Sequence, residues 1–336
     1  MNHAPLPPNS RPRRRQALRG ALVLAAALAL AGTASAQSSD ALRFIVPYPA
    51  GGAADAMARV IVDRLKDEMK QTVIIENRAG ASTRLAAEML KQSAPDGNTV
   101  LMTTLDTAVI GPMVFKNLRY NPATDFTPIT MVATITYGLT VSGTNPSKTL
   151  AQFIAAARAD KNQAVVGVSG LGSTLHFLAY DFVRQSKVPD MTIVPFQGGP
   201  AMVNNLIGGQ LASAIDGLGV FVKHHQAGRL RVLATSGERR APQLPDVPTF
   251  RELGMPSLAF GSAYALYAPA GTPKARIDEW NAAMRKVLAR ADVRALVTEI
   301  GYEPLDGSDP AEVTLRETQR REHWAPIVKA TGYTGD

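Results

Sequence analysis

The chain has 336 residues, no cysteine, and a formal net charge of +8 from 36 basic and 28 acidic side chains. A chain without cysteine has no disulfides, no thiolate metal site and no cysteine nucleophile. Five of its arginines fall between residues 11 and 19, so much of the excess positive charge belongs to the amino-terminal segment and does not indicate a nucleic-acid partner.

The amino-terminal segment has the pattern of an export signal. Its basic residues precede an apolar run from Ala21 to Ala31, and the small residues Ala34-Ser35-Ala36 follow. This order predicts a secretory signal peptide cleaved after Ala36, and the apolar run is shorter than the roughly 20 residues that span a bilayer. An ordinary secretory signal is favoured, and Arg14-Arg15 leaves the twin-arginine route open. Removal of 36 residues with their five arginines leaves a periplasmic protein of 300 residues with a formal charge of +3, long enough for two domains.

The first half of the exported part alternates short β-rich runs with helical patterns. Strands are predicted over residues 42–46, 72–75 and 99–103, and apolar residues recur at helical spacing between the first two. This alternation predicts an α/β fold with mainly parallel sheets. The loops that follow the strands then lie at one edge of a sheet, where open α/β folds bind ligands.

A β-rich stretch at 135–141 leads into a second set of units. Thr149 is the expected N-cap of a helix over 150–158, and further strands are predicted at 164–168, 191–196, 211–215 and 230–234. The chain is β-rich again at 260–267 and helical after Pro273. Two β-rich stretches around a self-contained segment predict an inserted domain, with domain 2 at 142–258 and domain 1 at 37–141 plus 259–336. Such an arrangement makes a hinge and a cleft.

The sequence lacks the residue patterns that are typical of an enzyme active site. Leu171 stands where the nucleophile elbow of a hydrolase needs glycine after Ser169. The adjacent His224 and His225 cannot point the same way on one helix, and no acidic partner has metal-ligand spacing. The glycine loops match neither the phosphate loop nor the dinucleotide fingerprint. We therefore expect no catalytic residues, no metal and no cofactor, with a secreted hydrolase as the weaker alternative.

Four loops that precede predicted helices indicate binding instead, at residues 51–52, 80–83, 169–174 and 197–200. Each can direct backbone N–H groups or hydroxyls at an anion, with the positive end of a helix dipole behind them. A single loop of this kind is explained by a tight turn. Four of them in an exported two-domain protein without catalytic residues indicate a cleft that holds a carboxylate.

Eight short motifs follow one another along the chain in a specific order. They are Val46-Pro47-Tyr48-Pro49-Ala50-Gly51-Gly52 with Asp55 and Arg59, Glu76-Asn77-Arg78-Ala79-Gly80-Ala81, Pro95-Asp96-Gly97, Ser169-Gly170 with Ser173 and His176, Val194-Pro195-Phe196-Gln197-Gly198, Gly208-Gly209-Gln210, Leu244-Pro245-Asp246-Val247-Pro248-Thr249, and Ala268-Pro269-Ala270-Gly271-Thr272-Pro273. In this order they resemble the Bug family, the periplasmic substrate-binding receptors of tripartite tricarboxylate transporters, over essentially the whole exported part.

The resemblance implies a bilobed periplasmic-binding-protein fold of the second type, with two doubly wound α/β domains joined by crossing hinge strands. It also implies a monomer that closes on a dicarboxylate, an amino acid or an aromatic acid and delivers it to the membrane permease subunits of the transporter. A sensing module that hands its closed form to a signalling partner is the alternative. The expected ligand-binding residues are Tyr48, Ala50, Gly51, Gly52, Ser82, Thr83, Arg84, Thr104, Asp106, Ser169, Gly172, Ser173, His176, Phe196, Gly198, Asp216 and Ala263.

The chain departs from the family pattern at this expected pocket. Ser82, Thr83 and Arg84 stand where the family commonly has two glycines and an asparagine. Phe196-Gln197 replaces the usual Tyr-Lys, and Ala263 replaces a frequent tryptophan, so the pocket is expected to be roomier near Ala263 and differently charged.

Two residues, Asp106 and Arg84, are expected to determine the charge of the ligand pocket. An Asp106 carboxylate that faces the cleft favours an amino acid or another zwitterion. The alternative, slightly preferred, is that Asp106 caps a helix or pairs with Arg84, and Arg84 is also a candidate to grip a second ligand carboxylate. Asp55 is expected to brace the first loop. His176 fits a capping or core role better than a pocket role.

Overall fold

The computed structural model describes residue 1, residues 41–188 and residues 190–335. The predicted signal peptide and its cleavage after Ala36 lie outside these residues. Over the described part, the chain folds into two β-sheets with helices packed against them. No helix of that part is both long enough and apolar enough to cross a membrane.

Most strands are followed by a helix. In chain order the strands are β1 (Leu42–Val46), β2 (Val73–Asn77), β3 (Thr99–Thr104), β4 (Phe126–Ile135), β5 (Tyr137–Ser142), β6 (Val165–Ser169), β7 (Thr192–Phe196), β8 (Ser213–Gly217), β9 (Leu230–Thr235), β10 (Ser262–Pro269) and β11 (Glu303–Pro304). The α-helices are α1 (Ala53–Met69), α2 (Arg84–Gln92), α3 (Leu105–Val114), α4 (Pro122–Asp125), α5 (Leu150–Ala159), α6 (Thr174–Ser186), α7 (Gly199–Ile207), α8 (Leu218–Gln226), α9 (Lys274–Leu288), α10 (Ala291–Glu299) and α11 (Pro310–Thr331). Short 3-10 turns cover Ala81–Thr83, Lys161–Gln163 and Pro256–Leu258.

The first sheet has six strands in the order β11-β4-β10-β3-β1-β2. β1 is parallel to β2 and β3, whereas β10 is antiparallel to β3 and β4. Four of the five residues of β1 are fully buried apolar side chains, because this strand lies inside the sheet and is covered on both faces. The predicted strand at 42–46 is confirmed, and the other two predicted strands of this half differ at their ends by one or two residues.

The second sheet has five strands in the order β7-β6-β8-β5-β9. β6 is parallel to β7 and β8, and β5 is antiparallel to β8 and β9. Thr149 is the N-cap of α5, as predicted: its hydroxyl accepts the Gln152 N–H at 3.2 Å, and Gln152 Oε1 accepts the Thr149 N–H at 3.2 Å. We call the first sheet with α1–α4 and α9–α11 lobe 1, and the second sheet with α5–α8 lobe 2.

The chain passes between the sheets twice. β4 ends at Ile135 in lobe 1 and β5 begins at Tyr137 in lobe 2, so Thr136 alone separates them. The return passage ends where β10 begins at Ser262. The division of the chain into two domains stays a prediction, and the strands favour a first boundary near residue 136 rather than between 141 and 142.

The last helix, α11, also joins the lobes. It packs on β4 and α3 of lobe 1 and on α6 of lobe 2, where Tyr180 Oη donates to the Ala330 carbonyl at 3.0 Å. Just after α11, the ring of Tyr333 meets the ring of His176 edge-on, with centroids 4.8 Å apart. The carboxyl-terminal segment therefore contacts the loop region of lobe 2 as well as the core of lobe 1.

Candidate functional site

The Gly51-Gly52 turn links β1 to α1 and is fixed by a buried carboxylate. Gly51 has a φ of +81°, which favours glycine, and its N–H donates to Asp55 Oδ2 at 2.8 Å. Asp55 is 1% exposed and also accepts from Asn77 Nδ2 at 2.9 Å and from Arg59 Nε at 2.8 Å. Burial acts to raise the pKa of Asp55, but the hydrogen bonds from Arg59, Gly51 and Asn77 outweigh it and hold the pKa below its usual value. The prediction that Asp55 braces this loop is confirmed.

The second loop has a left-handed backbone at three consecutive side-chain-bearing residues. Ala81, Ser82 and Thr83 have φ values of +46°, +52° and +72°. This conformation costs about 1–2 kcal/mol for each residue with a Cβ. Thr83 Oγ1 lies 2.9 Å from Thr107 Oγ1, which lies 2.7 Å from Thr103 Oγ1. This chain of hydroxyls ties the loop to the junction of β3 and α3, while Ser82 stays exposed.

Arg84 is held within lobe 1. Its guanidinium carbon lies 3.8 Å from the centroid of the Phe115 ring, and its Nε donates to the Ala81 carbonyl at 2.9 Å. The expected pairing of Arg84 with Asp106 is wrong, because each has other partners. A role for Arg84 in holding a second carboxylate stays a prediction.

Asp106 pairs with Arg320 on the last helix. Arg320 Nη2 donates to Asp106 Oδ1, and Arg320 Nη1 donates to the Gly261 carbonyl. The other carboxylate oxygen, Oδ2, accepts from Ser262 Oγ at 3.0 Å and from Tyr137 Oη at 3.4 Å. The side chains of Asp106 and Arg320 are 14% and 5% exposed. Asp106 does not cap α3, whose N-cap is Thr104, but its position in the first turn suits the helix dipole.

Four tyrosines gather where the lobes join. The rings of Tyr48 and Tyr264 meet edge-on with centroids 5.8 Å apart, and the hydroxyls of Tyr264 and Tyr302 are 3.2 Å apart. Burial raises the pKa of these three and of Tyr137, that of Tyr302 to about 12, so all four keep their hydroxyl protons at neutral pH. Tyr137 and Tyr264 fall in the two predicted β-rich crossing stretches, which is the signal that could have singled them out.

Ala263 lies on the opposite face of β10 from Tyr264. It is 6% exposed and belongs to a buried apolar cluster that includes Leu105 and Ala108. The aromatic side chain that meets Tyr48 at this end of β10 is Tyr264. The expectation of a roomier pocket near Ala263 stays a prediction without support from this packing.

In lobe 2, a buried carboxylate orients the loop after β6. Ser169 Oγ donates to Asp216 Oδ2, and Asp216 Oδ1 accepts the Gly217 N–H at 2.6 Å. Asp216 is 8% exposed, and burial raises its pKa to about 6 even though these hydrogen bonds act to lower it. The Ser169 hydroxyl is therefore committed to Asp216.

His176 also holds the loop after β6 in place. Its Nδ1 accepts the Gly172 N–H at 3.2 Å, and its own backbone N–H donates to Ser173 Oγ at 3.4 Å. It is 9% exposed, and burial lowers its pKa, which favours the neutral ring. The preferred capping or core role of His176 agrees with these contacts.

The fourth loop follows β7. Phe196, the last residue of this strand, packs its ring beside Gly167 of β6. Gly198 has a φ of +100° and is the N-cap of α7, with open space where a Cβ would lie. The loop therefore leaves the backbone at Gly198 accessible.

Five helices that follow parallel strands begin without a side-chain cap. Their N-cap residues are Gly52, Thr83, Thr104, Gly198 and Gly217. The first N–H groups of such helices have no intrahelical partner, and the helix dipole gives this end a partial positive charge. Since parallel strands present their carboxyl ends at one edge of a sheet, each lobe has an edge that can bind an anion through backbone N–H groups.

The described residues hold no group of three or more His, Asp or Glu side chains arranged to bind a metal ion. The chemistry available at the two edges is hydrogen bonding from backbone N–H groups, tyrosine hydroxyls and serine or threonine hydroxyls.

Residues 57–333 match the family described as the tripartite tricarboxylate transporter family receptor. The chain is 30% identical over 318 residues to BugT of Bordetella pertussis, an alignment that covers 91% of this chain and 95% of BugT. This chain therefore belongs to the tripartite tricarboxylate transporter receptor family, and the resemblance to Bug proteins is confirmed.

Solved structures share the fold. A periplasmic transporter protein matches with a TM-score of 0.80 at 29% identity, over 88% of this chain and 98% of its own. Rpa4515 of R. palustris, solved with adipate, matches with a TM-score of 0.79 at 31% identity, over 87% and 97% of the two chains. MatC of Rhodopseudomonas palustris, solved with bound malate, matches with a TM-score of 0.76 at 29% identity, over 86% and 98%. The chain has the bilobed periplasmic-binding-protein fold, as predicted.

Proposed function

We propose that the protein is a periplasmic receptor that closes on a small carboxylate and delivers it to the membrane permease of a tripartite tricarboxylate transporter. The observation that carries this proposal is the set of five helices that follow parallel strands and begin without side-chain caps, three on lobe 1 and two on lobe 2. Backbone N–H groups at such ends suit a carboxylate. The malate and adipate in the structures of MatC and Rpa4515 support the same ligand class.

Hydrogen bonds from both lobes supply enough affinity for the ligand and also drive closure of the lobes. Micromolar binding corresponds to about 8 kcal/mol, and a hydrogen bond to a charged group contributes roughly 1.5–3 kcal/mol. Four or five donors therefore suffice after the costs of ordering and desolvation. Because the donors belong to different lobes, only the closed arrangement makes all the contacts, and this difference in affinity drives closure.

The charges around the cleft favour a carboxylate without a cationic group over an amino acid. Arg320 neutralises Asp106, the carboxylate that would favour a cationic nitrogen if it faced the cleft alone. The tyrosine hydroxyls are neutral donors, because burial raises their pKa.

The loop residues divide into proposed ligand contacts and supports. Those on open backbone or at an uncapped helix are proposed as contacts: Tyr48, Ala50, Gly52, Ser82, Arg84, Thr104, Phe196 and Gly198. Those committed to other protein groups are proposed as supports: Gly51, Thr83, Asp106, Ser169, Gly172, Ser173, His176, Asp216 and Ala263. In this proposal the receptor is an exported monomer without a cofactor, and it has no catalytic role.

A ligand screen tests the proposal. Thermal unfolding with malate, adipate, glutamate and nicotinate, followed by calorimetry, is expected to identify at least one carboxylate that raises the melting temperature. A ligand at a hundred times its Kd stabilises by about 2.7 kcal/mol. Absence of any shift across the panel, or steady consumption of one compound, would contradict the receptor role.

A further inference from the structure

Asp106 contacts both passages between the lobes. Tyr137, whose hydroxyl donates to Asp106 Oδ2, is the first residue of β5 after the outward passage. Ser262, whose hydroxyl donates to the same oxygen, is the first residue of β10 after the return passage. A single carboxylate therefore receives hydrogen bonds from both hinge segments.

The same carboxylate stands at the ligand edge of lobe 1. Asp106 lies in the first turn of α3, two residues after Thr104, at the carboxyl end of β3. The neighbouring parallel strand, β1, ends at Val46 and leads into the Gly51-Gly52 turn. A bare negative charge at this edge opposes the entry of an anionic ligand.

Arg320, on the last helix, neutralises the charge of Asp106. It reaches Asp106 from α11, donates to the Gly261 carbonyl beside Ser262, and lies over the Phe260 ring with its guanidinium carbon 5.1 Å from the centroid. At 5% exposure its side chain is out of reach of a ligand in solution, while Asp106 is nearly three times as exposed. The pair presents an almost neutral surface to the cleft.

We propose that Arg320 is a specificity-determining residue that makes the cleft accept carboxylates by neutralising Asp106, without contacting the ligand itself. This inference rests on the proposed function and adds a residue that acts through another. Like charges about 7 Å apart at an effective dielectric constant of about 20 lower affinity by roughly ten- to fiftyfold. Loss of the Arg320 charge should therefore weaken anion binding by an amount in this range.

A double-mutant cycle at pH 8 separates charge from structure. Calorimetry with adipate compares the wild type, Arg320→Gln, Asp106→Asn and the double variant, and thermal unfolding without ligand checks that each is folded. Arg320→Gln is expected to bind adipate at least about tenfold more weakly, because Asp106 is then uncompensated. The double variant lacks the same arginine but has no carboxylate, so it should recover to within about threefold of the wild type.

Asp106→Asn gives a second arm that keeps Arg320 and its bond to Gly261. It should bind adipate more tightly than the wild type, since the positive charge is then unopposed. If Arg320→Gln does not fold, the adipate affinity of Asp106→Asn tests the inference without it. Arg240→Gln, which removes an equal charge from a surface pair with Glu252 in the segment after β9, is the control and should not change affinity.

Equal weakening in Arg320→Gln and the double variant, or weaker binding by Asp106→Asn, would overturn this inference and assign the pair a purely structural role. A wild type that binds none of malate, adipate, glutamate and nicotinate would instead overturn the receptor proposal, and this inference with it.

Discussion

Gly219 of lobe 2 lies against Gly301 of lobe 1 so closely that neither residue has room for a side chain. A Cβ on Gly219 would overlap the Ile300 carbonyl, and a Cβ on Gly301 would overlap Gly219 itself. Gly219 belongs to the first turn of α8, whose Leu218 N–H donates to the Thr136 carbonyl at 2.8 Å in the passage between the lobes. Two glycines thus let the lobes meet beside the hinge.

Gly219→Ala should therefore keep the lobes apart at this point. Gly219 is helical, so alanine fits its backbone conformation, but the added methyl group overpacks this contact, and overpacking of this kind costs about 1–3 kcal/mol. We expect weaker ligand binding and a smaller ligand-induced change in radius of gyration than in the wild type. Unchanged affinity together with an unchanged decrease in radius would show that this contact does not limit closure.

Relief of backbone strain in the second loop should stabilise the protein. Ser82 is exposed with a φ of +52°, a conformation that glycine adopts without steric cost. Ser82→Gly should raise the free energy of unfolding by roughly 0.5–1 kcal/mol, the gain being reduced by the greater entropy of glycine in the unfolded chain. Ser93→Gly, at a φ of −76°, is the control at a negative φ and should destabilise, because glycine adds entropy to the unfolded chain and the hydrogen bond from Ser93 Oγ to the Met89 carbonyl is lost. Destabilisation by both substitutions in urea titrations would argue against strain at Ser82.

The charge of Arg84 should matter more for a ligand with two carboxylates. Arg84→Ala is expected to weaken adipate binding more than pentanoate binding, because adipate has a second carboxylate and pentanoate has only one. Phe115→Leu removes the ring under the guanidinium and keeps the charge, so it should have the smaller effect. Equal loss for both ligands in calorimetry would assign Arg84 to bracing the loop through Ala81.

Asp216 should make stability depend on pH. Burial raises its pKa from the usual 3.8 to about 6. A carboxyl with a raised folded-state pKa stabilises the fold fully below its unfolded pKa, and this contribution is lost as pH rises through the folded value. The free energy of unfolding of Asp216→Asn should therefore be close to that of the wild type near pH 4. At pH 8 it should be about 2 kcal/mol higher than that of the wild type. Denaturant titrations in which the difference is the same at both pH values would contradict this reading.

Local patterns in the sequence predict much of the fold. The apolar run 42–46 and the Thr149 cap are determined by neighbours along the chain, and both occur as predicted. The order of the motifs identifies the family, since each motif is a strand end or a turn whose backbone the fold requires.

The charge pattern of the cleft could not be predicted in this way. Arg320 stands among Arg316, Arg321 and Glu322, a charged stretch typical of a solvent-exposed helix face, and its partner Asp106 is 214 residues away. Only the packing of α11 shows that Arg320 is buried. Similarly, alternation along β10 places Ala263 and Tyr264 on opposite faces, but the sequence does not say which face meets Tyr48.

The proposed function depends on closure of the two lobes around a carboxylate. Small-angle X-ray scattering of the protein, without ligand and with saturating concentrations of whichever carboxylate binds in calorimetry, measures this closure. We expect the radius of gyration to decrease when the ligand is added, because only the closed form brings the uncapped helices of both lobes to the same carboxylate. An unchanged radius at a concentration where calorimetry shows full occupancy would show that the lobes do not close on the ligand.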